Sequence, residues 1–127
     1  MTELRALIVD DSSVMRKIVE RSLRQAGLEP LVVQEAGTGI EGLEILRTVQ
    51  VDLILTDINM PTMDGLEFVR QMKAQHLAEG VPVVMITTES SEEHVRQAIQ
   101  AGARGYIRKP FTAEQVKERV LPLLQTA

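Results

Sequence analysis

Cysteine is absent from the 127 residues, which excludes a disulfide framework and a thiolate zinc site and leaves stability to packing. Tryptophan is absent as well, and Phe68, Tyr106 and Phe111 are the only aromatic side chains. Basic residues are outnumbered. Fourteen Lys and Arg against 18 Asp and Glu leave a formal charge of −4, whereas nonspecific nucleic-acid binding needs a basic face to neutralise phosphates. No apolar run approaches the roughly 20 residues of a membrane span. The opening segment Met1-Thr2-Glu3-Leu4-Arg5 lacks the basic and long apolar parts of a signal peptide. A soluble, cytoplasmic protein that binds neither nucleic acid nor membrane is the expectation.

Residues 1–127 are long enough for one domain with a full core and too short for a second. Apolar residues at 44% and charged residues at 25% match ordinary globular usage, so packing needs no unusual support. Strand and helix patterns alternate from start to finish. Leu7-Ile8-Val9 is followed by Met15, Ile18, Val19, Ser22, Leu23 and Ala26 at helical spacing, stopped by Gly27. Leu31-Val32-Val33 is a short strand, after which Ile40, Leu43 and Leu46 mark a helical face. Val51 to Asp57 is apolar on both sides, as a buried parallel strand requires. Gly65, Phe68, Val69 and Met72 form the next stripe, and Val81 to Thr87 the fourth strand. Ser90 and Glu93 make a capping box before Val95, Ala98, Ile99 and Gly102. Gly105 to Arg108 is the fifth strand, and Thr112 with Gln115 caps a last helix in which Pro122 is expected to kink or fray the final turn. Five strands alternating with five helices predict a doubly wound α/β fold with a parallel sheet.

Four of these strands end in polar residues. The first runs into Asp10-Asp11, the third into Asp57, the fourth into Thr87-Thr88, and the fifth into Lys109-Pro110. In an open parallel sheet, ligands bind beyond the carboxyl ends of the strands. Three carboxylates, hydroxyls and an ammonium gathered there suit a divalent cation and a phosphoryl group. Adjacent acids beside a third repel one another, and a hard cation with oxygen ligands relieves that repulsion. The remaining candidates are plainer. His76 and His94 lack metal-ligand spacing and read as surface residues. Met15, Met72 and Met85 fall on core patterns, and Gly37-Thr38-Gly39 lacks the rest of a phosphate-loop fingerprint.

Asp10-Asp11, Asp57-Ile58-Asn59-Met60-Pro61 with Gly65, Thr87, Tyr106 and Lys109-Pro110-Phe111 occur in order on the expected elements. In these residues, and along essentially its whole length, the chain resembles the response-regulator receiver domains, most closely the stand-alone chemotaxis type (CheY-like). The resemblance implies a flavodoxin-like sheet of order 2-1-3-4-5 with five helices, and Asp57 as the phosphorylation site. It implies Mg2+ held by Asp11, Asp57 and the backbone carbonyl of Asn59, with Asp10 acting through a water. Lys109, preceding a cis proline bond, would meet a phosphate oxygen. Thr87 would bond the phosphoryl group and Tyr106 would move inward behind it. Thr88 departs from the small residue usual after the switch threonine and could narrow access to Asp57. Asn59 and Glu89 match the variable pair that tunes hydrolysis of the acyl phosphate.

The implied function is that of a monomeric two-component switch rather than an enzyme. A histidine kinase or phosphotransfer protein would donate to Asp57, altering the face formed by the fourth helix, fifth strand and fifth helix. A flagellar-motor, chemotaxis or phosphorelay component would read that face. Other functions compete. A Mg2+-dependent phosphohydrolase with an aspartyl-phosphate intermediate would carry a second acid where Asn59 stands, and would want a cap domain. A degenerate receiver acting as a constitutive binding module is disfavoured by the intact acids, Thr87 and Lys109. A flavodoxin-like cofactor carrier would want stacking rings that three scattered aromatics do not readily supply.

Overall fold

The computed structural model describes residues 3–88 and 92–125. Strands β1 (Leu4–Val9), β2 (Leu31–Ala36), β3 (Leu53–Asp57), β4 (Val83–Thr87) and β5 (Gly105–Arg108) alternate with helices α1 (Ser13–Gln25), α2 (Gly39–Thr48), α3 (Gly65–Ala74), α4 (Glu92–Ala101) and α5 (Ala113–Gln125). All strand pairs are parallel and the order is β2-β1-β3-β4-β5. Strand order reverses between β1 and β3, so the crevice beyond their carboxyl ends is where such a sheet accepts a ligand.

The alternation of side chains along each strand divides the core in two. On β1, Leu7 and Val9 join Ile54, Met85, Leu43, Phe68, Val69 and Met72 in one cluster, beneath α2, α3 and α4. Ala6 and Ile8 face the other way, with Leu55, Val84 and Ile86, against Val19 and Leu23 of α1 and Val116 and Val120 of α5. The central strands are buried on both faces, so their sequences are apolar without alternation.

The starts of α1, α2, α3 and α5 each have a local cause. The side chains of Ser12, Thr38 and Asp64 accept from the N–H groups of Met15, Glu41 and Glu67, satisfying donors that the first turn leaves free. Thr112 and Gln115 bond reciprocally, at 2.9 and 3.1 Å. Helix α1 ends in a Schellman turn, in which Leu28 N–H donates to Leu23 O and Gly27 N–H to Arg24 O. Gly27 sits at φ 94°, a conformation that side chains with a Cβ resist.

Four expectations need correction. Strand β2 continues past Val33 through Gln34 and Glu35, because a sheet-edge strand tolerates half-exposed polar residues. Strands β3 and β4 begin two residues later than their apolar runs. Ile18, Ile40 and Ile99 are 42%, 45% and 62% exposed; the buried seam of α1 is the narrower set Val19, Ser22 and Leu23. Helix α5 runs through Pro122 to Gln125 without fraying, although the proline cannot donate to the carbonyl four residues back. The Ser90 half of the capping box ahead of α4 lies outside the described residues. No helix among the described residues is long and apolar enough to cross a membrane.

Candidate functional site

The sheet delivers the polar strand ends to one edge. Asp10 follows β1, Asp57 closes β3, Thr87 closes β4, and Lys109 follows β5. Asp10, Asp11 and Asp57 each present a carboxylate oxygen within 4.8 Å of the others. Lys109 Nζ lies between two of them, 3.2 Å from Asp57 Oδ2 and 3.3 Å from Asp10 Oδ2. The Lys109–Pro110 peptide is cis, as the resemblance implied.

Burial divides the three acids. Asp10 is 3% exposed, Asp57 is intermediate and Asp11 is exposed. Loss of hydration on burial raises the pKa of Asp10; the Ser12 N–H bond and the charge of Lys109 oppose that rise, and the charge of Asp57 adds to it. Three negative groups with a single ammonium leave an excess of negative charge. A donor set made only of oxygen suits a hard divalent cation of the Mg2+ kind. Asp10, Asp11 and Asp57 are the side chains that would hold it.

The backbone around Asp57 is constrained. Its Oδ1 accepts from Asn59 N–H at 3.3 Å, and its carbonyl accepts from the buried Thr56 hydroxyl at 3.0 Å. Gly65 opens α3 directly against that carbonyl, and a Cβ on residue 65 would overlap the Asp57 oxygen. Gly65 N–H donates to Ile58 O at 2.8 Å. Strand β3 and helix α3 can therefore approach this closely only through glycine.

Thr87 is fully buried at the end of β4. Tyr106 is half-buried on β5 in register with Met85, placing it on the same sheet face as Met85 and Thr87. Thr88 and Asn59 are exposed beside the strand ends; Glu89 lies outside the described residues. A groove of about 430 Å³ runs between β5 and α5, lined by Tyr106, Arg108, Lys109, Gln115, Glu118 and Arg119 among others. His76 is exposed and His94 half-buried, neither belongs to the acid cluster, and Met72 and Met85 are core residues.

Two neighbours of the site carry no role in the sequence reading. Arg16, on the first turns of α1, donates from Nη1 to the backbone carbonyl of Asp10 at 2.6 Å and from Nε to Glu35 Oε1 at 2.8 Å. Glu35 is the penultimate residue of β2. Ending β2 at Val33 concealed it.

A parallel sheet of this order, with an acid trio and a lysine at its carboxyl edge, defines a receiver domain. The chain belongs to the response regulator receiver domain family, whose profile matches residues 6–121. It is 42% identical over 117 residues to the chemotaxis protein CheY-3 of Vibrio cholerae, covering 92% of this chain and 88% of that protein. Among solved structures it is similar to chemotaxis protein CheY4 of Vibrio cholerae, with 36% identity, a TM-score of 0.81, and coverage of 92% and 95% of the two chains. It is also similar to the receiver domain of sensor histidine kinase PA1611 from Pseudomonas aeruginosa, which has a magnesium ion coordinated in its active-site cleft. That match has 26% identity, a TM-score of 0.79, and coverage of 92% and 93%. The chain is thus a CheY-type receiver of two-component signalling.

Proposed function

We propose that residues 1–127 act as one phospho-accepting switch, with Asp57 as the acceptor. The observation that carries this reading is the convergence of Asp57 with Asp10, Asp11 and Lys109 from three strand ends. A carboxylate oxygen of Asp57 attacks phosphorus in a phosphohistidine of a kinase or phosphotransfer protein. The P–N bond breaks, and its electron pair returns to the imidazole nitrogen. Asp11, Asp57 and the Asn59 carbonyl, with Asp10 through a water, would hold Mg2+, which would supply charge neutralisation for the phosphoryl oxygens. Lys109, already at hydrogen-bond distance from Asp57, moves its ammonium onto a phosphoryl oxygen.

The signal then leaves by shape. Thr87 bonds the phosphoryl group, and Tyr106, on the same sheet face, follows inward. That rearranges the α4-β5-α5 surface on which a chemotaxis, flagellar-motor or phosphorelay protein docks. Asn59 and Thr88, exposed beside the strand ends, govern how readily water reaches the acyl phosphate, and Glu89 is assigned to the same role by the family resemblance alone.

The test is intact-protein mass after incubation with acetyl phosphate, with and without Mg2+, for wild type and Asp57→Asn. A Mg2+-dependent gain of one phosphoryl group, absent in the variant, is expected. An Asp57→Asn protein that gains the same mass would move the acceptor elsewhere. A wild type that gains none from acetyl phosphate or from a phosphorylated histidine kinase would leave a binding module without the switch.

A further inference from the structure

Asp10 is fixed at every polar group it carries. Its N–H donates to Ala36 O at 3.1 Å, Oδ1 accepts from Ser12 N–H at 2.9 Å, and Oδ2 accepts from Lys109. Its backbone carbonyl takes the short bond from Arg16 Nη1. Arg16 is braced in turn by Glu35, which also receives Lys17 Nζ at 2.7 Å. These bonds from Lys17 and Arg16 hold the Glu35 carboxyl below the usual range, so it stays ionised. The Arg16 side chain is mostly buried, at 17% exposure, and its planar guanidinium fork spans a carbonyl and a carboxylate that one ammonium could not bridge in the same way.

A carbonyl oxygen defines the orientation of its peptide plane. By holding Asp10 O, Arg16 sets the Asp10–Asp11 peptide and therefore the direction in which Asp11 leaves it. Asp11 has little else to fix it. It is exposed, and among the described residues its carboxylate takes no hydrogen bond from the protein.

We propose that Arg16 is a positioning residue for the cation site, acting through the Asp10–Asp11 peptide and braced by Glu35. This rests on the assignment of Asp10, Asp11 and Asp57 to a cation. Two effects of Arg16 oppose each other. As a cation near three carboxylates it repels Mg2+, so charge alone predicts tighter binding when it is removed. That repulsion acts at a distance and is screened by solvent and salt, whereas the Nη1 bond to Asp10 O is direct. The loss of peptide orientation therefore dominates, and removal weakens binding.

The experiment is a Mg2+ titration followed by backbone amide NMR shifts, on wild type, Arg16→Ala and Arg16→Lys, at low and high salt. The same spectra report whether each variant is folded. Arg16→Ala is expected to bind Mg2+ about 10-fold more weakly, the scale of losing an outer-shell partner of a metal ligand. The loss persists at high salt, where charge effects are screened. Arg16→Lys keeps the charge and is not rescued; it also carries the test if the alanine variant fails to fold. Equal or tighter binding by the folded variants overturns the proposal and leaves the cation site standing. A wild type that binds no Mg2+ removes the cation site and the proposal together.

Discussion

Lys109→Ala isolates what the ammonium does for the acid cluster. Its Nζ pairs with Asp57 at 3.2 Å and Asp10 at 3.3 Å, with 13% of the lysine side chain exposed. Each contact corresponds to about 5 kcal/mol of attraction at an effective dielectric constant of about 20, and desolvation of the three groups offsets much of it. Removing one partner of a buried pair costs roughly 3–5 kcal/mol, because the remaining charge is left unpaired. Asp11 opens this site to water, which places the loss near the lower end, about 3 kcal/mol. In a chain of this length that lowers the melting midpoint by about 10 °C. The distinguishing feature is the response to Mg2+. A divalent cation on the same oxygens replaces the missing charge, so saturating Mg2+ should stabilise Lys109→Ala more than wild type and recover most of the loss. Urea unfolding of both proteins in EDTA and in Mg2+ measures the difference. Equal stability in EDTA would refute the reasoning, as would a deficit that Mg2+ leaves unchanged.

Two further outcomes follow from the same geometry. Gly65→Ala puts a methyl group into the Asp57 carbonyl, and overpacking of that kind costs about 1–3 kcal/mol. Urea unfolding should show the loss, and intact mass should show slower phosphoryl uptake from acetyl phosphate; unchanged values of both would contradict the contact. The second concerns pH. Burial raises the folded-state pKa of Asp10 above its unfolded value, so charged Asp10 destabilises the metal-free protein at neutral pH. That cost fades as pH falls through the folded pKa and is gone below the unfolded one. Glu35 works oppositely. Its lowered pKa contributes stability above the usual carboxylate range that is lost in stronger acid. Asp10→Asn should therefore exceed wild type in stability in EDTA at neutral pH, with the margin narrowing on acidification. A variant less stable than wild type at neutral pH would overturn this.

The sequence made the strand ends legible because hydrophobic runs stop there abruptly and the polar residues after them have no packing role. Asp10, Asp11, Asp57 and Lys109 were found that way, and the structure brings them together. What periodicity could not give is depth. Ile18, Ile40 and Ile99 satisfy a helical pattern yet lie at the rim of their helices, where hydrophobic character says nothing of cover. Edge strands are harder still. Gln34 and Glu35 of β2 belong to the sheet through backbone pairing with Leu7 and Ile8, a property that side-chain character does not encode. Arg16 was invisible for a related reason: its partner atom is a main-chain carbonyl, which every residue carries. The contact of Gly65 with the Asp57 carbonyl is likewise a backbone approach, and a glycine in sequence does not announce what it lets near.

The reach of the lysine has a consequence for how the site comes into being. Its two carboxylate partners precede it by 99 and 52 residues, and β5 is the last strand of the sheet. A chain emerging from the ribosome carries all three acids 52 residues or more before their counter-charge. That counter-charge joins them only when the final strand docks beside β4. Under the proposed function, a transfer that draws on Lys109 would favour molecules whose sheet has closed, so the site itself would select against unfinished copies.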